Sequence, residues 1–113
     1  FQIGSMTKSF AATAAAVLVD EGRLDWDRPA NEYLPALRFA DPWLTAHVTV
    51  RDLAANRVGV DDHFLWLPRT WGTQAILERV RHVQPDTPFR TFRYSNAGYA
   101  ALGAVTEAAS GQS

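Results

Sequence analysis

Residues 7–21 read TKSFAATAAAVLVDE, and they carry the strongest structural signal in the chain. Alanine favours helix, and four apolar residues recur at the spacing of one helical face. They are Phe10, Ala14, Val17 and Leu18. Gly22 follows directly, and glycine is common just past the end of a helix. The stretch therefore predicts a helix over residues 7–21.

Two later segments also have helical periodicity. In the first, Thr73 can cap a helix that Pro85 ends. The second is residues 97–109, where small residues permit close packing. The apolar positions are Ile76, Val80 and Val83 in the first helix, and Tyr99, Leu102, Val105 and Ala109 in the second. With no stretch that reads as a strand, we predict a mainly α chain.

The intervening segments predict shorter elements. Residues 24–42 are interrupted by prolines and leave room for only short helical turns. Their apolar anchors are Trp26, Tyr33 and Leu34. Thr49 and Asp52 resemble a capping box, which predicts a short helix over residues 50–56 that ends by Gly59.

Composition bounds the possible functions. A chain of 113 residues suffices for one domain with a modest core, and 47% apolar with 20% charged residues is typical of a globular protein. A formal charge of -1 offers no broad field for a phosphate backbone, so nucleic acid is not an expected partner. No apolar run is long enough for a membrane segment. The absence of cysteine rules out thiolate metal sites and leaves the compartment unknown.

Ser5 and Lys8 place a hydroxyl and an amine one helical turn apart, on the same side of the first predicted helix. Gly4 would let the backbone turn tightly before the serine and leave the hydroxyl near the positive end of the helix dipole. A serine hydroxyl needs a base within hydrogen-bond reach, and Lys8 can be that base where its surroundings favour the neutral amine. Taken alone, this spacing is a weak signal, and an N-cap serine beside a solvated lysine explains it better.

A second polar group, Tyr94-Ser95-Asn96, lies at a predicted loop-to-helix junction. A phenol beside an ammonium can be held partly ionised and can pass a proton between a nucleophile and a leaving group. An amide can hold a substrate carbonyl or orient the lysine. The simpler alternatives are a surface aromatic for Tyr94 and a helix cap for Asn96.

Five segments of the chain recur together, in this order, in a known family. They are FQIGSMTKSF (1–10), EGRLDWD (21–27), YLP (33–35), VTVRDL (48–53) and YSNAGY (94–99). With them the chain resembles the β-lactamase-related serine hydrolases, which include class C β-lactamases, DD-peptidases, D-aminopeptidases and esterases of the same fold. The resemblance implies that the chain is the helical part of the α/β serine β-lactamase/transpeptidase-like fold, with the sheet portion absent.

The same resemblance implies roles for individual residues. Ser5 is the acylated nucleophile, Lys8 its activating partner and Tyr94 the general acid/base, while Asn96 contacts the substrate or the lysine. The implied substrate is a small-molecule amide, β-lactam or ester, and no metal or cofactor is required. One alternative is a penicillin-recognising sensor domain that acylates and does not deacylate. Another is a non-catalytic helical interaction module, in which Ser5 and Lys8 lie far from Tyr94.

Two departures from the family pattern stand out. Where relatives usually have a Ser-His pair before a glycine, residues 54–59 read AANRVG, which we interpret as a change in helix-end packing. The third family motif, a Lys or His followed by x-Gly on a sheet strand, does not occur. Because a nucleophile five residues from a terminus would sit on a fraying end, we expect residues 1–113 to be a single partial domain. The rest of the same polypeptide would complete the site, and the fragment alone would be inactive.

The histidines and tryptophans yield weaker hypotheses. His63 follows Asp61 and Asp62, but a solvated loop explains this cluster better than a metal site. A surface ion pair is expected between His82 and Glu78, four residues apart, and a Ser-His-Asp triad has less support than the lysine mechanism. His47 has no evident partner. A loop with Trp66, Pro68 and Trp71 is expected, and these two tryptophans with Trp43 either pack or line a cleft.

Overall fold

The structure is a computed structural model that describes residues 1–63 and 71–112. Within those ranges the chain forms helices and no strand, so the prediction of a mainly α chain is confirmed. The helices are α1 (Thr7–Asp20), α2 (Ala30–Tyr33), α3 (Pro42–His47), α4 (Val50–Ala54), α5 (Thr73–Val80) and α6 (Asn96–Ser110). A 3-10 turn, Gly4–Met6, leads directly into α1. None of the described helices is long and apolar enough to cross a membrane.

Helix α1 ends as its sequence predicts. Gly22 adopts a φ of 71°, in the left-handed region that glycine occupies without strain. Its backbone N–H donates to the carbonyl of Val19, and the next N–H, of Arg23, donates to the carbonyl of Leu18. This pair of bonds is the Schellman pattern, which satisfies the last carbonyls of a helix. The chain then reverses and runs on to α2.

The buried face of α1 differs from the apolar face that spacing suggested. Ala15 and Leu18 are buried, whereas Phe10 is 66% exposed and Val17 is 50% exposed. Helix α1 packs against α6, and the buried residues include Ala15 on α1 and Ala97 and Ala101 on α6. The periodicity therefore predicted the helix correctly, but it did not predict which side of the helix packs against the core.

The short helices begin with clear caps. The capping box at α4 is confirmed, because Thr49 and Asp52 each bond the other's backbone N–H. Helix α4 ends at Ala54, two residues before the predicted end. The one-turn helix α2 agrees with the expected short turns of residues 24–42. Helix α3 was not predicted, although its signal is present: the Asp41 carboxylate accepts from the N–H of Trp43, with proline at the first helical position.

Helices α5 and α6 differ from the predictions mainly at their ends. Thr73 is the first residue of α5 rather than its cap, which is Gly72, and the helix ends at Val80, five residues before Pro85. Helix α6 begins one residue early because the Ser95 hydroxyl accepts a hydrogen bond from the N–H of Gly98 at 3.0 Å. Ser95 is therefore the N-cap.

Helix α6 is the centre of the fold. It packs against α1, α4 and α5, and Ala97, Ala101, Leu102 and Val105 on it are buried. The Tyr99 hydroxyl donates to the carbonyl of Ala54 at 2.8 Å, which ties α6 to the end of α4. Because Lys8 lies in the first turn of α1, Ser5 lies in the 3-10 turn just before it and Tyr94 lies just before α6, this packing brings the two motifs together.

Candidate active site

Ser5 lies in the turn that precedes α1. Gly4 adopts a φ of 58°, so the tight turn expected before the serine is present. The Ser5 Oγ is 2.6 Å from the Tyr94 Oη, a short hydrogen bond between residues 89 positions apart. A hydroxyl in this position has a proton acceptor within direct reach.

Lys8 joins both polar groups of the site. Its Nζ donates to the Ser5 Oγ at 3.3 Å and to the Asn96 Oδ1 at 2.6 Å. The same nitrogen lies 4.7 Å from the centre of the Tyr94 ring and 5.6 Å from that of Tyr99. One amine therefore contacts the hydroxyl, the amide and the faces of two aromatic rings.

The surroundings of Tyr94 make its phenol easier to ionise than that of a free tyrosine. Hydrogen bonding from Lys8, and then from Ser5, lowers the pKa of Tyr94 below its ordinary value of 10.0. Partial desolvation and the negative charge of Asp62 oppose this shift. For Tyr99, by contrast, burial raises the pKa. Tyr94, rather than its neighbour, is therefore the phenol suited to accept a proton.

Asn96 occupies the first position of α6 and is not its cap. Its side-chain oxygen accepts from Lys8, so of the two expected contacts the structure shows the one to the lysine. Its backbone N–H donates to the Asp62 Oδ2 at 2.6 Å. The amide thus orients the ammonium, and a contact to substrate stays a prediction.

Sequence reasoning missed one residue beside the site, Asn56. Its side-chain Oδ1 accepts from the Ser95 N–H at 3.0 Å, and its carbonyl accepts from the Arg93 N–H at 2.7 Å. The interpretation of residues 54–59 as helix-end packing is therefore incomplete. A local signal existed, because asparagine after a helix often adopts positive φ. The contact to Ser95, 39 residues away, had none.

The alternative of a non-catalytic module predicted that Ser5 and Lys8 lie far from Tyr94. The hydrogen bonds above contradict that geometry. A Ser-His-Asp triad would also require a histidine hydrogen-bonded to Ser5, and no histidine in the described part of the chain makes that bond.

The histidines make other contacts. His47 has a partner after all, since its ring stacks on Trp43 with centroids 4.1 Å apart and its Nδ1 lies 2.7 Å from the Trp43 carbonyl oxygen. His82 lies beyond the end of α5 and forms no ion pair with any residue of the described ranges, while Glu78 accepts from Gln74. His63 hydrogen-bonds to Asp61.

The carboxylates of the suggested metal cluster are engaged within the protein. Asp61 also pairs with Arg93, and Asp62 holds the Asn96 N–H. Among residues 1–63 and 71–112, no group of three or more histidines and carboxylates is placed to hold a metal ion.

The two tryptophans of the cleft hypothesis that the structure describes, Trp43 and Trp71, have different neighbours. Trp43 packs edge-on against Phe89, and the Trp71 ring lies 3.8 Å from the guanidinium of Arg79. Trp66 and Pro68 lie outside the described residues. A cavity of about 220 Å³ does border the site, between the first turns of α1 and α6. It is lined by Thr7, Lys8, Ala11, Tyr99 and Ala100.

Comparison with known proteins agrees with this geometry. A model of the beta-lactamase family matches residues 1–113. The chain is 32% identical to penicillin-binding protein 4 of Amycolatopsis lactamdurans over 100% of this chain and 30% of that protein. It is 32% identical to a beta-lactamase of Providencia stuartii over 94% of this chain and 27% of that protein. It is 27% identical to an unguisins hydrolase of Aspergillus campestris over 99% of this chain and 23% of that protein.

The chain thus spans between about a quarter and a third of the length of these curated relatives. Its helices, without a strand in the described residues, agree with the helical part of the serine β-lactamase/transpeptidase-like fold. Because a family model covers the whole sequence, this chain belongs to the beta-lactamase family, a family of serine hydrolases.

Proposed function

We propose that this chain carries the nucleophile, the activating lysine and the general acid/base of an acyl hydrolase that acts on an amide, β-lactam or ester carbonyl. The observation that carries the proposal is the 2.6 Å hydrogen bond between Ser5 Oγ and Tyr94 Oη, with Lys8 Nζ beside both groups. A nucleophile, a base and a cation that orients the base are the arrangement required for covalent catalysis.

Each proton in the proposed reaction has a place to go. Tyr94 phenolate takes the Ser5 proton while Ser5 Oγ forms a bond to the carbonyl carbon. The tetrahedral intermediate then collapses, the bond to the leaving nitrogen or oxygen breaks, and Tyr94 returns the proton to the leaving group. Water, deprotonated by Tyr94, next attacks the acyl carbon, and Ser5 leaves with the proton. Lys8 stabilises the phenolate throughout, and Asn96 holds Lys8 in place.

We further propose that residues 1–113 are one partial domain and that other parts of the same polypeptide complete the site. The chain covers only 23% to 30% of the length of these relatives, which supports the proposal. The tetrahedral intermediate needs oxyanion donors, and loss of one such donor costs on the order of 100- to 1,000-fold in rate. The chain by itself would therefore be inactive.

The test uses the full-length protein with a chromogenic cephalosporin and, separately, a short-chain aryl ester. Ser5→Ala should abolish the covalent adduct seen by mass spectrometry, and Lys8→Ala should slow acylation by several orders of magnitude. The matched control is Ser9→Ala, which removes an exposed hydroxyl one turn away and should leave the rate unchanged. An undiminished adduct in Ser5→Ala would remove Ser5 from the mechanism.

The same experiment separates the two acylating functions. Steady release of product indicates a hydrolase, whereas one burst followed by a stable adduct indicates a penicillin-recognising sensor. Comparison of the two substrates identifies the preferred carbonyl, because both acylate the same serine.

A further inference from the structure

Tyr94 lies on a segment without regular structure, just before α6. Hydrogen bonds nevertheless hold the backbone of this segment, because the N–H groups of the residues before and after Tyr94 both donate to acceptors elsewhere in the chain. Arg93 donates to the Asn56 carbonyl at 2.7 Å, and Ser95 donates to the Asn56 Oδ1 at 3.0 Å. A single residue thus holds both neighbours of the phenol.

Asn56 is shaped for this double contact. It follows α4 and adopts a φ of 55°, a left-handed conformation that asparagine tolerates better than most residues. Its own N–H donates to the carbonyl of Leu53 at 3.3 Å, which anchors it to the buried end of α4. The side-chain oxygen and the carbonyl can therefore both face the Tyr94 segment from a rigid support.

The position of the Tyr94 Oη depends on this backbone. Tyr94 is 41% exposed, so packing around its ring does not fix it fully. Its bond to Ser5 is short, and a shift of about 1 Å at a catalytic group can cost roughly 100-fold in rate. A hydrogen bond that holds the backbone next to Tyr94 is thus coupled to proton transfer from Ser5.

We propose that Asn56 is a positioning residue for Tyr94, acting through its side-chain bond to the Ser95 N–H. This inference rests on the proposed function, since it concerns the same site. Asp62 supports the other side of the motif by accepting from the Asn96 N–H at 2.6 Å. Asn56 differs from Asp62 because it bonds both flanks of the phenol.

The test compares two substitutions in the full-length protein. Asn56→Gly removes the side-chain oxygen while keeping a residue that adopts positive φ freely, so the loop is not strained. Asn56→Asp keeps an oxygen of the same reach. Asn56→Gly should lower kcat for acylation by about 10- to 100-fold with little change in KM, and Asn56→Asp should stay within about fivefold of wild type.

A second readout does not depend on turnover. The pKa of Tyr94 is measured from phenolate absorbance, with Tyr94→Phe as the reference that isolates its signal. Because contact with Lys8 and Ser5 lowers this pKa, a displaced phenol should titrate closer to 10 in Asn56→Gly. A purely structural role for Asn56 would lower the melting temperature without moving the titration.

The outcomes are distinct. Wild-type protein that never acylates Ser5 refutes the proposed function. Normal acylation by Asn56→Gly, or an unchanged phenol pKa in that variant, refutes the positioning role. If Asn56→Gly does not fold, Asn56→Asp is used to test the positioning role. The Asn56→Asp variant is prepared with nitrogen-labelled serine and titrated with acid. The chemical shift of the Ser95 amide should change as the carboxylate introduced at position 56 is protonated, and an amide shift that does not change refutes the role.

Discussion

Replacing Tyr94 by phenylalanine tests the proposed reaction most directly, because it removes one oxygen and keeps the ring. That oxygen lies 2.6 Å from the Ser5 Oγ. General acid–base groups contribute roughly 100- to 10,000-fold in rate. Lys8 Nζ stays 3.3 Å from the Ser5 Oγ in the variant, where its positive charge still stabilises negative charge that develops on that oxygen. We therefore expect a loss near the lower end, about 100- to 1,000-fold in the acylation rate, or about 3–4 kcal/mol of activation free energy.

The same proposal predicts the direction in which the acylation rate changes with pH. The phenolate is the proposed base, and Lys8 lowers the pKa of Tyr94 from 10.0. Wild-type acylation should therefore rise with pH and level off below pH 10, and Tyr94→Phe should lose this rise. The assay is stopped-flow acylation with a chromogenic ester across that range.

Stability separates lost chemistry from lost structure in this variant. Because Tyr94 is 41% exposed, Tyr94→Phe should change the free energy of unfolding by no more than about 0.5 kcal/mol. The control is Tyr33→Phe, on α2 and outside the network, which should acylate normally. An unchanged rate and pH profile in folded Tyr94→Phe would refute the role of Tyr94.

Two further predictions concern the segment that leads to Tyr94. Gly59 has a φ of 80°, and a Cβ there would overlap the Thr87 carbonyl oxygen. Gly59→Ala should therefore destabilise the protein by about 2–4 kcal/mol in urea denaturation. Hydrogen bonding to Arg93 lowers the pKa of Asp86 from 3.8 to about 2, so its stabilising contribution is present above pH 3.8 and is lost as the pH falls towards 2. Arg93→Gln should return this pKa towards 3.8, as measured by carboxyl carbon chemical shifts.

Matched controls accompany both. Gly103 occupies an exposed position of α6, where a Cβ would meet no atom within 4 Å, so Gly103→Ala should stabilise the protein by about 0.5–1 kcal/mol. Equal effects at the two glycines would contradict the close approach at Gly59. For Asp86, a titration that stays near pH 2 without Arg93 would assign the shift to another group, with the Thr87 hydroxyl as the next candidate.

The sequence was sufficient for most local features. Helix α1 and its Gly22 stop, the capping box of Thr49 and Asp52, and the body of α6 follow from short-range periodicity and hydrogen bonding, which act within one or two turns. Helix ends were predicted less well, because α5 stops at Val80, five residues before Pro85. The site residues Ser5, Lys8 and Tyr94 could be selected by their chemistry and by family resemblance.

The tertiary structure decided what distant residues do for each other. Nothing local specifies which apolar face of α1 is buried, that Asn96 bonds Lys8, or that Asn56 holds the backbone beside Tyr94. These contacts join residues tens of positions apart, and they depend on how α1 and α4 pack against α6. Local sequence sets the conformation of each segment, whereas the orientation of one segment against another depends on side-chain packing between them, which no single segment contains.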